Sequence, residues 1–203
     1  MDSSDRATHS MTLAEAFRAR RSVRAYDART LESGRLLQLF QAGQGITAGD
    51  GKRAVPSAHA LYPLTLFLAA GRVEGLGVGL HQYDPADNVL SQISSGDLRP
   101  GLVAAALEDQ PWIAEAPATI VIAADTARAI AAFAEQPPDG RRGLRYVYLE
   151  AGALMQNICL EAMAVGLGTV FVGGFDDAKT ASVLNLPIPF EPVGMICVGW
   201  PAA

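Results

Sequence analysis

The chain has 203 residues, of which 50% are hydrophobic and 18% are charged, so it can bury a full core and is too apolar to be intrinsically disordered. Its 16 Lys and Arg against 21 Asp and Glu give a formal net charge of −5, which argues against nucleic acid as a partner. The sequence contains neither a run of about 18 uncharged apolar residues nor the apolar stretch of a signal peptide. It therefore predicts a globular cytoplasmic protein that binds neither nucleic acid nor membrane.

The N-terminal region is predicted to be a short tail followed by a helix. Residues 1–11 are largely polar and are predicted to be disordered, and residues 12–203 are predicted to form a single domain. The sequence TLAE that begins at Thr12 has the spacing of a capping box, which indicates the start of a helix. Leu13 and Phe17 are expected to form the apolar face of this helix.

The rest of the chain is predicted to contain strands and helices in irregular alternation. Apolar runs bounded by Gly, Pro and Asp predict the strands, and apolar spacing of three to four residues predicts the helices. Because strict alternation of strand and helix is missing, the predicted fold class is α+β with a mixed sheet. The strands are expected at 64–70, 79–83, 89–93, 118–124, 169–172 and 193–198, and the helices at 33–43, 100–107, 126–135, 144–165 and 177–184.

An arginine cluster is the clearest local anomaly. Arg18, Arg20, Arg21 and Arg24 fall within seven residues of an otherwise acidic chain, with Ser22 among them. Guanidinium groups and a hydroxyl at a helix-to-strand junction suit the binding of a phosphate monoester or another small anion. The same cations could instead complement the dipole at the helix C-terminus. The cluster alone leaves both interpretations open.

The segment PSAHALYP, from Pro56 to Pro63, is a second candidate site. Small residues between two prolines form a rigid stretch whose backbone can approach a flat ligand closely. His59 could donate a proton there, because its pKa lies near neutrality. A lone histidine is more often a hydrogen-bonding structural residue, and taken alone His59 favours that interpretation.

A pair of glycines is the third candidate. Gly173 and Gly174 follow the predicted strand 169–172 and precede a helix that Asp176 is expected to cap, so their amides could face the polar edge of a ligand. On spacing alone, an ordinary tight turn is the better explanation. The GxGxxG spacing of a dinucleotide-binding fingerprint is missing.

Other polar residues are interpreted as structural. Glu150, Asn157 and Glu161 fall on one stripe of the predicted long helix, where the two carboxylates are about 16 Å apart along the axis and too distant to share a substrate. Cys159 and Cys197 lie in apolar contexts without CxxC spacing and are expected to be buried free thiols. The histidine spacing suits no metal, so no metal site is predicted.

Taken together and in this order, these segments resemble the nitroreductase-like flavoprotein superfamily, and the form LYP at 61–63 resembles its SagB-type dehydrogenase branch. Each motif is weak alone, but six in the right order are specific. The matching segments are RRSVRAY (20–26), PSAHALYP (56–63), VEGLGVGLHQYDP (73–85), IAEAPATIVIAAD (113–125), the stretch from RYVYLE to GGFD (145–176) and VGWP (198–201).

The resemblance implies a mixed α+β sandwich that forms an intertwined homodimer, with two FMN sites at the interface. One subunit would hold the phosphate and ribityl chain, reach the pyrimidine edge of the flavin and pack near its reactive N5 edge, while the partner would line the cofactor from the other side. The residues implied are Arg20, Arg21 and Ser22 for the phosphate and ribityl chain, Arg24 for the pyrimidine edge, Val172, Gly173 and Gly174 near N5, and Pro56, Ser57, Ala58 and Ala60 from the partner.

Two residues are candidates for a role in catalysis. Azoline dehydrogenases of the SagB-type branch use a Lys-Tyr pair as general base, and the nearest match here is Arg145-Tyr146. Arginine stays protonated, so Tyr146 is the candidate. His59 occupies a position where many relatives have glycine and is the second candidate.

The function implied is that of an FMN-dependent oxidoreductase, which transfers hydride through flavin N5. The expected donor is NAD(P)H and the expected acceptor a nitro compound, a quinone or a similar molecule. Two alternatives stay open: a dehydrogenase that converts azolines to azoles in a modified peptide, and a flavin-binding protein without turnover.

Overall fold

The computed structural model describes residues 11–202. The predicted tail, residues 1–11, therefore lies outside the described residues except for Met11. No helix in the described part of the chain has the length and apolar content needed to cross a membrane.

Eight strands and seven α-helices are found among residues 11–202. A 3₁₀ turn at Ala58–Ala60 follows the second helix. The strands are β1 (Leu31–Glu32), β2 (Leu64–Ala70), β3 (Val73–Glu74), β4 (Gly79–Asp84), β5 (Val89–Ser95), β6 (Ala118–Ala124), β7 (Gly168–Val172) and β8 (Glu191–Gly199). The helices are α1 (Leu13–Ala19), α2 (Ser33–Gln44), α3 (Arg99–Ala105), α4 (Trp112–Glu115), α5 (Thr126–Ala132), α6 (Arg142–Ala164) and α7 (Asp177–Leu184).

Six of the strands form one sheet in the order β5-β4-β2-β6-β8-β7, and each neighbouring pair is antiparallel. Parallel pairing occurs in the short β1–β3 ladder and at the bridge between Ser22 and Thr169. Strand β6 is buried at every position, as its apolar sequence predicts for a central strand. The predicted α+β class is confirmed.

The sheet separates two apolar layers, because side chains alternate between its faces along each strand. On one face Leu64 and Leu66 pack with buried residues of α2 and α6, among them Phe40 and Leu154. On the other face Phe67 joins a cluster that includes residues of α3, α4 and α7. The long helix α6 thus packs against one face of the sheet.

Helix α1 begins as predicted. Its capping box is complete, since Thr12 Oγ1 accepts from the Glu15 N–H and the Glu15 carboxylate accepts from the Thr12 N–H. Leu13 and Phe17, expected to form the apolar face of this helix, are 63% and 56% exposed, so that face is not buried within this chain. The buried residue of this helix is Ala16.

Several boundaries differ from the prediction. Helix α5 ends at Ala132 rather than Glu135, and strand β8 begins at Glu191 rather than Val193. The short elements β1, β3 and α4 were not predicted, because pieces of two to four residues are too short to display a hydrophobic period.

Candidate functional site

The arginine segment runs beside strand β7. The backbone N–H of Val23 donates to the carbonyl oxygen of Thr169 at 2.9 Å, and Ser22 forms a parallel bridge with the same residue. Burial raises the pKa of the Cys159 thiol, and the positive charge of nearby Arg20 acts in the opposite direction. The segment from Arg20 to Arg24 is therefore fixed along the edge strand that leads to the glycine pair.

Within the described part of the chain, the predicted anion-binding arginines have no acidic partner. Neither Arg20, Arg21 nor Arg24 forms an ion pair with any carboxylate of residues 11–202. The Arg21 guanidinium donates to the carbonyl oxygens of Arg18 and Arg20, at 2.9 and 2.8 Å. The Arg24 guanidinium lies 5.3 Å from the centroid of the Trp112 ring. These cations remain available to an anion.

The glycine pair lies near the same cluster. The Gly174 carbonyl oxygen accepts from the Leu107 N–H and from the Gln110 side-chain amide, both at 3.0 Å. Trp112, whose ring stacks against Arg24, is two residues from Gln110 in the sequence. The segment 110–112 therefore contacts both Arg24 and Gly174. The side chain of Val172 is buried, so this residue can offer a ligand only its backbone.

The PSAHALYP segment is anchored by a buried carboxylate on α6. Glu150 Oε1 accepts from Ser57 Oγ at 3.0 Å and from the Ala58 N–H at 2.8 Å, and Ser57 Oγ in turn accepts from the Tyr62 N–H at 2.8 Å. Burial raises the pKa of Glu150, and the two hydrogen bonds that it accepts act in the opposite direction. Pro56 and Ala60 lie on the exposed side of this anchored segment.

The anchored segment has an unusual backbone conformation. His59, Ala60 and Tyr62 have φ values of 53°, 52° and 49°, in the left-handed region that favours glycine. Such residues cost about 1–3 kcal/mol each and persist where the surroundings enforce them. Glu150 holds Ser57 and Ala58, the two residues before this stretch, and Ser57 Oγ accepts from the Tyr62 N–H within it.

The two catalytic candidates, His59 and Tyr146, contact the same aromatic ring. Ring centroids are 5.1 Å apart for His59 and Phe133 and 4.8 Å apart for Phe133 and Tyr146. The Tyr146 hydroxyl donates to Gln136 Oε1 at 2.9 Å. Phe133 is buried while His59 is exposed, so the imidazole lies on the surface of this cluster.

The predicted site residues form two groups in one chain. Arg20 and the glycine pair belong to a group beside β7, and Arg20 is near Cys159 of α6. Ser57 and Ala58 belong to a group at Glu150 of α6. The nine residue steps from 150 to 159 correspond to about 14 Å along a helix axis, which separates the two points of contact on α6.

Sequence reasoning missed the role of Glu150. The prediction treated it as part of a polar stripe, whereas its side chain is 8% exposed and binds a segment more than ninety residues away. A carboxylate among apolar residues in the middle of a helix is the signal that could have identified it, because buried charges require partners. Asn157 of the same stripe donates to the carbonyl oxygen of Ala42.

The cysteines match the prediction. Cys159 and Cys197 are both free and buried. Burial raises the pKa of Cys197 to about 12. Neither thiol is therefore suited to act as a nucleophile.

Comparison with known proteins gives a consistent family. Residues 17–200 match the nitroreductase family. A protein of Methanocaldococcus jannaschii, provisionally named a nitroreductase, is 36% identical over 178 residues, which cover 86% of each chain.

Solved structures have the same fold. One from Ralstonia eutropha, also provisionally named a nitroreductase, is 25% identical with a TM-score of 0.79 and covers 100% of this chain and 89% of its own. The NADPH:FMN oxidoreductase of Vibrio harveyi, in complex with NAD⁺, is 20% identical with a TM-score of 0.67 and covers 94% of this chain and 69% of its own. At this identity the second likeness concerns the fold alone.

Proposed function

The chain belongs to the nitroreductase family, and we propose that it is an FMN-dependent oxidoreductase that accepts hydride from NAD(P)H and reduces a nitro compound, a quinone or a similar acceptor. The observation that carries this proposal is the arginine segment 20–24. Its side chains at 20, 21 and 24 have no acidic partner among residues 11–202. The segment lies beside strand β7, which is followed by two glycines. Bound FMN would supply the two-electron chemistry.

The residues of the arginine segment have separate roles in this proposal. Arg20 and Arg21 bind the FMN phosphate with Ser22, since guanidinium groups match phosphate geometry. Arg24 neutralises negative charge that develops at the pyrimidine edge, and its stacking on Trp112 fixes its direction. Gly173, which is exposed, leaves room for the flavin edge at the end of β7.

We further propose that the site is completed by a second copy of the chain. The segment 56–60 is about 14 Å along α6 from the arginine group, so a homodimer would bring the partner's segment to the cofactor. Exposed apolar side chains on the neighbouring helices α1 and α6 support this arrangement, because burying them would stabilise the dimer. They are Leu13, Phe17, Tyr148 and Leu149.

A mixing experiment tests the composite site. The variant R20A/R21A lacks the arginines proposed to bind the FMN phosphate. The variant Ser57→Trp blocks the half of the site formed by the segment 56–60. Each variant alone should fail to bind FMN. A refolded mixture should regain about one FMN per mixed dimer, because one of its two sites combines the intact halves. If the mixture binds no FMN, the site does not lie between two chains.

His59 and Tyr146 are the proposed proton-handling residues. Both contact Phe133 in the segment group, and Tyr146 carries a hydroxyl that donates to Gln136. His59 is exposed and can exchange protons with solvent.

The azoline dehydrogenase of the SagB-type branch is a second candidate. The form LYP at 61–63 and the position of Tyr146 favour it. Arg145 in place of a basic lysine argues against it, since arginine stays protonated. A flavin-binding protein without turnover is the third candidate.

We expect the protein to act in the cytoplasm on a small molecule or a modified peptide.

An absorbance spectrum separates these candidates. Purified protein should have flavin bands, and anaerobic NADPH should bleach them if the protein is a reductase. Bleaching by a heterocyclised peptide but not by NADPH would favour the azoline dehydrogenase, and bleaching by neither would favour the protein without turnover. A colourless protein that takes up no added FMN would refute the proposal.

A further inference from the structure

A polar cavity of about 350 Å³ lies where strands β2 and β4 separate, outside the residues assigned to the flavin. The ladder between these strands ends at Phe67 and Gln82, whereas β2 continues to Leu64 along β6. The strands diverge over residues 64–66 and 83–85, and this fork lines the cavity. The volume falls within the range of about 300–1,000 Å³ that is usual for small-molecule sites.

A half-buried cation, Arg53, lines the cavity. Its guanidinium donates to the Oε1 atom of Gln44, a buried side chain that lines the same cavity. Burial lowers the pKa of Arg53, but a guanidinium remains charged at neutral pH. Because Arg53 forms no ion pair with any carboxylate in the described range 11–202, its charge is available to an anionic ligand.

A carboxylate residue, Asp84, lines the same cavity together with Thr65, Ser91 and Gln82. Arg53 and Asp84 thus bring opposite charges to one cavity without forming an ion pair with each other. A simple anion bound to Arg53 would experience the like charge of Asp84. A ligand that carries both a carboxylate and a hydrogen-bond donor would complement both side chains.

We propose that this cavity binds a small amino- or hydroxycarboxylate, about the size of an amino acid, with its carboxylate on Arg53 and its amino or hydroxyl group on Asp84. The cavity is connected to the segment 56–60. The Arg53 N–H donates to the Tyr62 hydroxyl at 3.2 Å, the Arg53 guanidinium lies 4.7 Å from the centroid of that ring, and the Tyr62 N–H bonds to Ser57 Oγ.

Calorimetric titration of the purified protein tests this proposal. The probes are the proteinogenic amino acids, lactate, malate and acetate. At least one amino or hydroxy acid should bind, and R53Q should weaken its binding by about tenfold or more, as expected when a charge-assisted contact is lost. D84N should weaken the binding of the same ligand but not that of acetate, because acetate loses only the repulsion of the like charge. K52Q is the matched control, because Lys52 is adjacent in sequence, exposed and paired with Asp50.

Three results would overturn the proposal. The first is that no probe binds at concentrations up to about 10 mM, a range that covers weak specific sites. The second is that R53Q binds the ligand as tightly as the wild type does. The third is that acetate binds as tightly as the amino and hydroxy acids do. Far-UV circular dichroism checks the fold of R53Q, and R53K, which keeps the charge, should retain part of the affinity. Since the titration uses no nicotinamide, and the flavin spectrum is measured separately, failure here is distinguishable from failure of the proposed oxidoreductase function.

Discussion

Replacing Glu150 by alanine tests whether this carboxylate holds the PSAHALYP segment in place. The change removes the acceptor of the Ser57 hydroxyl and of the Ala58 N–H. The left-handed residues His59, Ala60 and Tyr62 would then lose the contacts that enforce their backbone conformation. We expect the segment to relax and the folded state to lose stability.

The magnitude follows from the two hydrogen bonds. A donor left without an acceptor costs about 1–3 kcal/mol when it is buried. Ser57 and Ala58 are only half-buried, so water can replace part of the interaction. Release of backbone strain offsets a further part. We therefore expect Glu150→Ala to lower the free energy of unfolding by about 2–3 kcal/mol, and Glu150→Gln, which keeps an oxygen acceptor, by about 1 kcal/mol.

Urea unfolding of the apoprotein, followed by circular dichroism, measures this effect without interference from a cofactor. Hydrogen exchange locates it, because the amides of Ala58 and Tyr62 donate within the affected network and should exchange faster in the alanine variant. Glu161→Ala is the matched control. Glu161 lies on the same helix, is half-buried and has no side-chain hydrogen bond within residues 11–202, so its removal should change stability by less than about 0.5 kcal/mol. If Glu150→Ala matches this control in both measurements, the segment is held by other contacts.

Further predictions concern the cofactor, pH and turnover. R20A/R21A should raise the FMN dissociation constant by about a hundredfold or more, because two charge-assisted contacts worth about 1.5–3 kcal/mol each are lost. Arg29→Gln, which removes an exposed arginine paired with Asp27, should leave it unchanged, and equal FMN retention in both variants would remove Arg20 and Arg21 from the site. Burial raises the pKa of Glu150, so the folded state binds the proton of this carboxyl more tightly than the unfolded state does. This contribution to stability is full below the unfolded pKa of about 4.5 and is lost as pH rises through the folded pKa. Unfolding measured from pH 4 upward should thus show the wild type losing stability relative to Glu150→Gln, and parallel curves would contradict the assigned burial. His59→Ala and Tyr146→Phe should each lower turnover while FMN affinity stays within about twofold, and unchanged turnover would leave these residues a packing role around Phe133.

Local signals in the sequence predicted local structure well. The capping box at Thr12 and the cap at Asp176 both form, because each depends on residues three positions apart. The apolar run of β6 has the central position that its composition indicates, between β2 and β8. These features depend on hydrogen bonding and hydrophobicity within a few residues, which a sequence displays directly.

Contacts across long stretches of chain were not predictable in the same way. The β1–β3 ladder joins residues about forty positions apart through strands of two residues, which carry no period. The contact between Glu150 and Ser57 joins a helix to a loop, and its sequence signal is one charged residue. Leu13 and Phe17 have the spacing of a buried helical face, but a spacing does not distinguish burial in the same chain from burial against another copy.

The placement of the two residue groups on α6 itself favours a symmetric assembly. In the proposed homodimer, the two groups of one chain would contribute to different cofactor sites. In a twofold dimer each half of one subunit meets the complementary half of its partner, so two identical sites form and no half remains unused. A head-to-tail arrangement of the same halves would match all of them only by closing into a ring; otherwise it leaves one half unmatched at each end or continues into a filament. Leu13 and Phe17 of α1 and Tyr148 and Leu149 of α6 are exposed, and burying them against a second copy would stabilise the proposed assembly.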